Sequence, residues 1–258
     1  MGPKNVHIEV IMDPIPAIEP SKDSTLALLL EAQERGWSLS YIELGDLQLR
    51  DGRAYARARP LRVVDDPQQC FALGDPVLHD MNELDVLLMR KDPPFDMEYI
   101  FSTYILERAQ IDGSLIVNDP RSLRDVNEKA YTAWFPQCCP ANLITRSPRD
   151  IKSFLAEHKK IVLKPLEAMG GQSIFVVTEG DLNTNVIIET ITRLARQTIQ
   201  AQAYIPEIAS TGDKRILMVE GEPVPYALAR IPPAGDARGN MAVGGTTEGR
   251  ELSDRDRW

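Results

Sequence analysis

The sequence predicts an open α/β domain followed by an α+β region, and two observations carry this. Over roughly the first 120 residues, short apolar runs alternate with helix-like segments, the pattern of a mostly parallel sheet flanked by helices. From Ser122 the pattern changes to helices set among shorter strands, with a Gly-Gly loop between two of them and a long Gly- and Pro-rich loop near the end. A chain of 258 residues suits one large or two modest domains and can bury a sizeable core without disulfides.

In order, Val6–Met12 is a buried first strand that Asp13-Pro14 ends. Asp23 or Ser24 caps a helix running to Arg35, with Leu26, Leu29 and Leu30 on one face and Gly36 as its stop. Ser38–Leu44 is the second strand. Asp51-Gly52 turns a hairpin between 47–50 and 54–64. Asp85–Met89 is a further buried strand, followed by Arg90-Lys91-Asp92-Pro93-Pro94, a helix over about 97–109 and a strand at 115–117. Next come a helix from Ser122 through Lys129 to Phe135, and a helix capped by Ser147 with Pro148 at its first position that ends near His158. Strands at 161–164 and 173–177 flank Met169-Gly170-Gly171-Gln172. A helix over about 185–196 and strands at 198–204, 214–219 and 224–230 follow, and 231–250 is the long loop.

Composition excludes several classes of function. With 29 basic and 38 acidic residues the net charge is −9, so nucleic acid and anionic membranes are not expected partners, and an anionic ligand must meet local basic clusters. The start of the chain has no signal-peptide pattern and no apolar run is long enough to span a bilayer, which points to the cytoplasm. Cys70, Cys138 and Cys139 form no disulfide framework, and His7, His79 and His158 make no zinc pattern with them. Neither G-x-G-x-x-G nor G-x-x-x-x-G-K-[ST] occurs, which removes the main support for a Rossmann or P-loop reading.

Several constellations remain. Lys164 lies in an apolar strand five residues before a Gly-Gly loop. Either its ammonium meets an anion, with the loop cradling phosphates, or it snorkels to water from an edge strand. Lys129 reads alone as a surface lysine, and gains meaning only as a partner for Lys164 on one polyphosphate. Arg90 follows a buried strand at its carboxyl end, where open α/β sheets bind ligands, and Asp13 ends the first strand in the same way. A solvated charged turn is the plainer alternative. Arg215, Arg230, Arg238 and Asn240 gather around the last hairpin and the long loop. They suggest an anion site under a mobile cover, or a solvated loop. Gln200–Glu207 (QAQAYIPE) is a strand entering a Pro-containing linker, whose backbone can face a purine edge. Cys138-Cys139 carries no C-x-x-C and reads as inert.

Taken together, the strings resemble the bacterial-type glutathione synthetase family: MDPI at 12–15, KDSTLALLLEAQ at 22–33, LLMRKDPPFD at 87–96, TYILERA at 103–109, NDPRSLRDVNEK at 118–129, LKPLEAMGGQSIF at 163–175, GDKR at 212–215, GEPVPYALARIP at 221–232 and RGNMAVGG at 238–245. The match spans the chain. The resemblance implies an ATP-grasp fold preceded by an N-terminal open α/β domain, with residues 1–124 as the substrate-side domain and 125–258 as the ATP-grasp domain. Within the latter, a lid subdomain covers about 130–203 and the C-terminal subdomain starts at about 204.

The resemblance also implies roles. Lys129 and Lys164 bind ATP phosphates, Met169, Gly170 and Gly171 form a small loop over them, Gln202, Tyr204 and Ile205 meet adenine, and Asp213 lies near ribose or phosphates. Arg215, Arg230, Arg238 and Asn240 hold phosphate and the carboxylates of γ-glutamylcysteine, and Asp13 and Arg90 help to place that dipeptide. The reaction implied is ligation of glycine to γ-glutamylcysteine through an acyl phosphate, with ATP and Mg²⁺ (Mn²⁺ as a substitute) and a homotetrameric assembly. A carboxylate-amine ligase of other specificity, or an ATP-binding fragment without turnover, is the alternative. Family members continue past Trp258, where the metal ligands and glycine site are expected, so no metal ligand is assigned here.

Overall fold

The computed structural model describes residues 6–233 and 245–258. The chain divides into two compact units, Met1–Asn127 and Glu128–Trp258.

The first unit is built on one sheet. Its strands are β1 (His7–Ile11), β2 (Ser38–Ile42), β3 (Leu47–Arg50), β4 (Arg53–Val63), β5 (Phe71–Leu73), β6 (Val77–Asp80), β7 (Val86–Met89) and β8 (Leu115–Val117). Their order is β3-β4-β2-β1-β7-β8, with β5 and β6 both pairing β4. β1 runs parallel to β2 and β7, and β7 parallel to β8. Helix α1 (Ser24–Glu34) links β1 to β2 and α2 (Met97–Ile111) links β7 to β8, the two crossovers that parallel pairing requires. Asp23 caps α1 by accepting the Leu26 N–H at 2.7 Å, and Asp96 caps α2 through the Tyr99 N–H at 3.0 Å. The apolar strands carry a core on both faces, as a covered parallel sheet must. Ile8, Val10, Leu26 and Leu29 pack on one side. Ile11, Leu87, Tyr99 and Leu106 pack on the other. Asp51 and Gly52 both take positive φ in the β3–β4 turn, as read from the sequence.

The second unit is α+β. A four-stranded antiparallel sheet has the order β11-β10-β12-β9, with β9 at Asn142–Thr145, β10 at Lys160–Pro165, β11 at Phe175–Thr178 and β12 at Ile199–Ala203. Helices α4 (Pro148–His158) and α5 (Thr184–Ile191) cover one face of it, burying Ile151, Leu155 and Ile188 on Ile161, Leu163 and Ala201. After the short α6 (Ile208–Thr211), a three-stranded antiparallel sheet is formed by β13 (Asp213–Val219), β14 (Glu222–Ile231) and β15 (Thr246–Glu251), and α7 (Asp254–Arg257) follows.

Three element expectations are corrected. The single helix from Ser122 to Phe135 is broken: α3 (Pro120–Asp125) stops where Val126 leaves helical geometry at ψ 70°, and a 3₁₀ turn at Ala130–Trp134 follows. Lys129 therefore caps a tight turn rather than riding a helix face. The helix at 185–196 ends at Ile191, after which Arg193, Leu194 and Ala195 all take positive φ. The end of the 231–250 loop is a strand, β15. Among the described residues no helix is long and apolar enough to cross a membrane, and the three cysteines are free.

Candidate active site

Residues singled out in the sequence fall on two polar clefts, one in each unit. In the first, the chain passes from β1 to β2 on one side and returns to β7 on the other, so strand order reverses between β1 and β7. The loops leaving their carboxyl ends diverge there and open a crevice. The Arg90 backbone N–H extends the pairing by donating to the Ile11 carbonyl at 2.7 Å. The Arg90 side chain then crosses to the start of α1, where Nε donates to Thr25 Oγ1 and Nη2 to Ser24 Oγ, each at 3.0 Å. Both partners are hydroxyls, which leave the guanidinium charge available to an anion. Asp13 is fixed through both oxygens: Lys91 Nζ lies 2.8 Å from Oδ1, and the Asp92 N–H donates to Oδ2 at 2.9 Å. Asp13, Lys22, Arg90 and Asp92 all line a cavity of about 320 Å³. Burial, and then the nearby Asp13 carboxylate, raise the Asp92 pKa above its ordinary value.

The second cleft, of about 340 Å³, lies in the unit of residues 128–258. Lys129, Lys164, Met169, Gly170, Gly171, Asp213, Arg215 and Arg230 line it, together with Glu128 and Gln172. Alternation along β10 buries Ile161, Leu163 and Pro165 toward the helices and turns Lys164 to the opposite face. There its Nζ donates to Gln202 Oε1 at 2.7 Å. Lys129 and Lys164 line the same cleft, and burial, then the charge of Lys129, lower the Lys164 pKa. Lys129 Nζ donates to the Ala168 carbonyl at 2.7 Å and pairs with Glu128 at 2.5 Å. Gly170 and Gly171 take φ of 66° and 80° in a turn closed by the Gln172 N–H on the Met169 carbonyl at 3.2 Å. Arg230 meets Asp213 in a two-pronged contact, Nε to Oδ1 at 2.7 Å and Nη2 to Oδ2 at 2.5 Å, and this carboxylate raises the Arg230 pKa further.

Ten of the residues singled out in the sequence thus fall on these clefts, eight on the second and two on the first. Gln202 joins through Lys164. Tyr204 and Ile205 follow β12, and the Lys160 ammonium stands 3.9 Å from the centre of the Tyr204 ring. Arg238 and Asn240 lie outside the described residues. The sequence reading passed over Gln200. Its signal was the Q-A-Q alternation, which puts Gln200 and Gln202 on one face of a strand, and only the β10–β12 register connects that face to Lys164.

Residues 6–124 match the family model of the N-terminal domain of prokaryotic glutathione synthetase, and residues 128–258 match its ATP-grasp domain. The chain belongs to the prokaryotic glutathione synthetase family. It is 55% identical over 254 residues to the glutathione synthetase of Pseudomonas putida, covering 98% of this chain and 80% of that one. Identity to the glutathione synthetase of Vibrio parahaemolyticus is 51% over 251 residues, covering 97% of this chain and 79% of that one. Among solved structures, D-cycloserine synthetase DcsG superposes with a TM-score of 0.66 at 12% identity, over 97% of this chain and 77% of its own, a likeness of fold alone. The ATP-grasp architecture behind an N-terminal α/β domain expected from the sequence is what the family models and the fold show.

The family implies a divalent metal. Among the described residues no three His, Cys, Asp or Glu side chains gather closely enough to hold one, so these residues do not fit a protein-held metal site.

Proposed function

We propose that this glutathione synthetase family member ligates glycine to γ-glutamylcysteine, with ATP bound in the cleft of residues 128–258. The observation that carries the reading is the convergence of Lys129 and Lys164 beside the Gly170–Gly171 turn. Two ammonium groups in a partly desolvated cleft oppose the negative charge that builds up as a carboxylate approaches a phosphoryl group. The glycine turn brings backbone N–H groups close to phosphate oxygens without a Cβ in the way. Gln202, Tyr204 and Ile205 border adenine, and Asp213 borders ribose or phosphates while aligning Arg230. Arg215, Arg230, Arg238 and Asn240 hold phosphate and the dipeptide carboxylates, and Asp13 and Arg90 orient the dipeptide in the first unit's crevice.

In the reaction, a cysteinyl carboxylate oxygen attacks the γ-phosphorus and the bond to ADP breaks. The neutral amine of glycine adds to the acyl carbon of the acyl phosphate. The C–O bond to phosphate then breaks and the ammonium proton leaves, giving glutathione, ADP and phosphate. The Lys and Arg side chains oppose the charge of the acyl phosphate and keep it in place. ATP enters as its Mg²⁺ complex, with Mn²⁺ as a substitute and the ion counted as part of that substrate. The active species is a cytoplasmic homotetramer, a compartment compatible with three free thiols. The substrate-side domain is residues 1–124 and the ATP-grasp domain 125–258, with a lid over about 130–203 and the C-terminal subdomain from about 204.

The test is ADP release with ATP, Mg²⁺, γ-glutamylcysteine and glycine, each omitted in turn. Release that needs both amino substrates is the expected result. Release with a different carboxylate-amine pair would move the assignment to another ligase specificity. ATP binding without release under any pairing would leave a nucleotide-binding module.

A further inference from the structure

The two lysines of the second cleft reach it from very different supports. Lys164 stands on a strand, whereas Lys129 stands at the start of a 3₁₀ turn with no side-chain cap of its own. β12 carries two glutamines two residues apart, and each contacts one of these lysines. Gln202 takes the Lys164 ammonium. Gln200 is the Cα partner of Lys164 in the β10–β12 ladder, and the residue is only 2% exposed. Its Nε2 donates to the Lys129 carbonyl and to Thr132 Oγ1, both at 3.2 Å. Thr132 Oγ1 in turn donates to the same Lys129 carbonyl at 2.6 Å. A carbonyl acceptor fixes which end of the amide points there, because only the NH₂ end can donate. A buried amide in a strand is costly without partners, and here both partners belong to the turn that carries Lys129.

We propose that Gln200 is a positioning residue for ATP binding, fixing the Lys129 turn to β12 so that the Lys129 ammonium stands at a set place relative to Lys164. This rests on the reading of Lys129 as a phosphate ligand given above. Gln200 acts through the Lys129 main chain and touches no substrate itself.

The test is a double-mutant cycle on binding of Mg·ATP, with Gln200→Met, Lys129→Met and the pair. Methionine keeps the length and volume of glutamine and removes the donor. Gln200→Met is expected to weaken ATP binding about tenfold, the scale of one buried hydrogen bond to a positioned group. It should raise KM for ATP and leave KM for γ-glutamylcysteine unchanged. In the Lys129→Met background the same change should add nothing. An equal loss of ATP affinity in both backgrounds, or none in the wild-type background, overturns the proposal. If Lys129→Met alone leaves ATP binding intact, the phosphate role of Lys129 fails instead, whatever Gln200 does. Should Gln200→Met not fold, Thr132→Val carries the same cycle. It removes only the hydroxyl that bridges the amide to the turn, with a smaller expected loss that again vanishes without Lys129.

Discussion

A carboxyl side chain in the middle of a buried parallel strand needs a proton or a partner, and Glu9 has only the first option. It lies on β1 between Ser40 of β2 and Leu87 of β7, fully buried, and neither of its oxygens has a hydrogen-bond donor. Burial alone pushes its pKa from an ordinary 4.5 to about 7. Between these two values the unfolded chain releases the proton while the folded chain keeps it. The stability of the first unit should therefore fall as pH rises from about 4.5 to about 7, and stay at the lower level above that. Glu9→Leu should remove this dependence and stabilise the unit at pH 8, on the order of 2 kcal/mol, with a much smaller gain at pH 5. Urea midpoints of both proteins at the two pH values check it, and an equal gain at both would sink the idea. The role of Glu9 was not legible in the sequence: V-H-I-E-V-I-M reads as a buried strand, and nothing local says whether its glutamate finds a partner there. The helix α2 over its face of the sheet is what buries it. Lys164 was legible in part: a lysine bracketed by apolar residues either meets a partner or snorkels to water, and the strand pairing that puts β10 between β11 and β12 decides for the partner.

At the scale of elements, hydrophobic periodicity located the strands and helices that build the cores and missed those held by main-chain pairing. β15 (TTEGRE) has no apolar residue and exists because β14 offers it a ladder from Tyr226 to Ile231. β5 and β6 are three and four residues long, below the length at which alternation is informative. The break after α3 contains neither Gly nor Pro. What stands beyond it is a turn whose Tyr131 and Trp134 rings stack at 5.0 Å, a tertiary arrangement without a local signature. Gly212, in contrast, states its role openly once the hairpin is seen. It has φ 70° and ψ −168°, a conformation that belongs almost wholly to glycine. A Cβ there would stand 2.0 Å from the Arg230 carbonyl oxygen. Gly212 thus permits β13 to close on β14 where Asp213 grips Arg230. Gly212→Ala should force these strands apart, with a loss of about 2 kcal/mol or more and a lower unfolding temperature. ATP affinity should fall with it, because the Asp213–Arg230 pair lines the cleft. A variant as stable as the parent, read by thermal unfolding, would show that the approach is looser than described.

At the scale of the molecule, the acidic balance of the chain and its basic second cleft describe one arrangement of charge. The net charge is −9, yet Lys129, Lys164, Arg215 and Arg230 gather at the second cleft, while Arg90 and Lys22 share the first with Asp13, Glu19, Asp23 and Asp92. Cations concentrated in one cleft of an otherwise acidic chain select small anions over polyanions, because an extended backbone of phosphates would meet the acidic surroundings. Every residue given an ATP role lies in the unit of residues 128–258, so ATP should order its own cleft and leave the first unit's cleft as it was. Hydrogen exchange can separate them, since a ligand protects the amides of the segments it orders. ATP alone should slow exchange in the 169–172 turn and in β10 and β12, and leave residues 12–25 and 90–92 as they were. γ-Glutamylcysteine alone should slow exchange at 12–25 and 90–92. Protection of 12–25 by ATP alone would mean that the nucleotide, rather than the dipeptide, engages the first crevice. The roles given to Asp13 and Arg90 would then have to be reassigned.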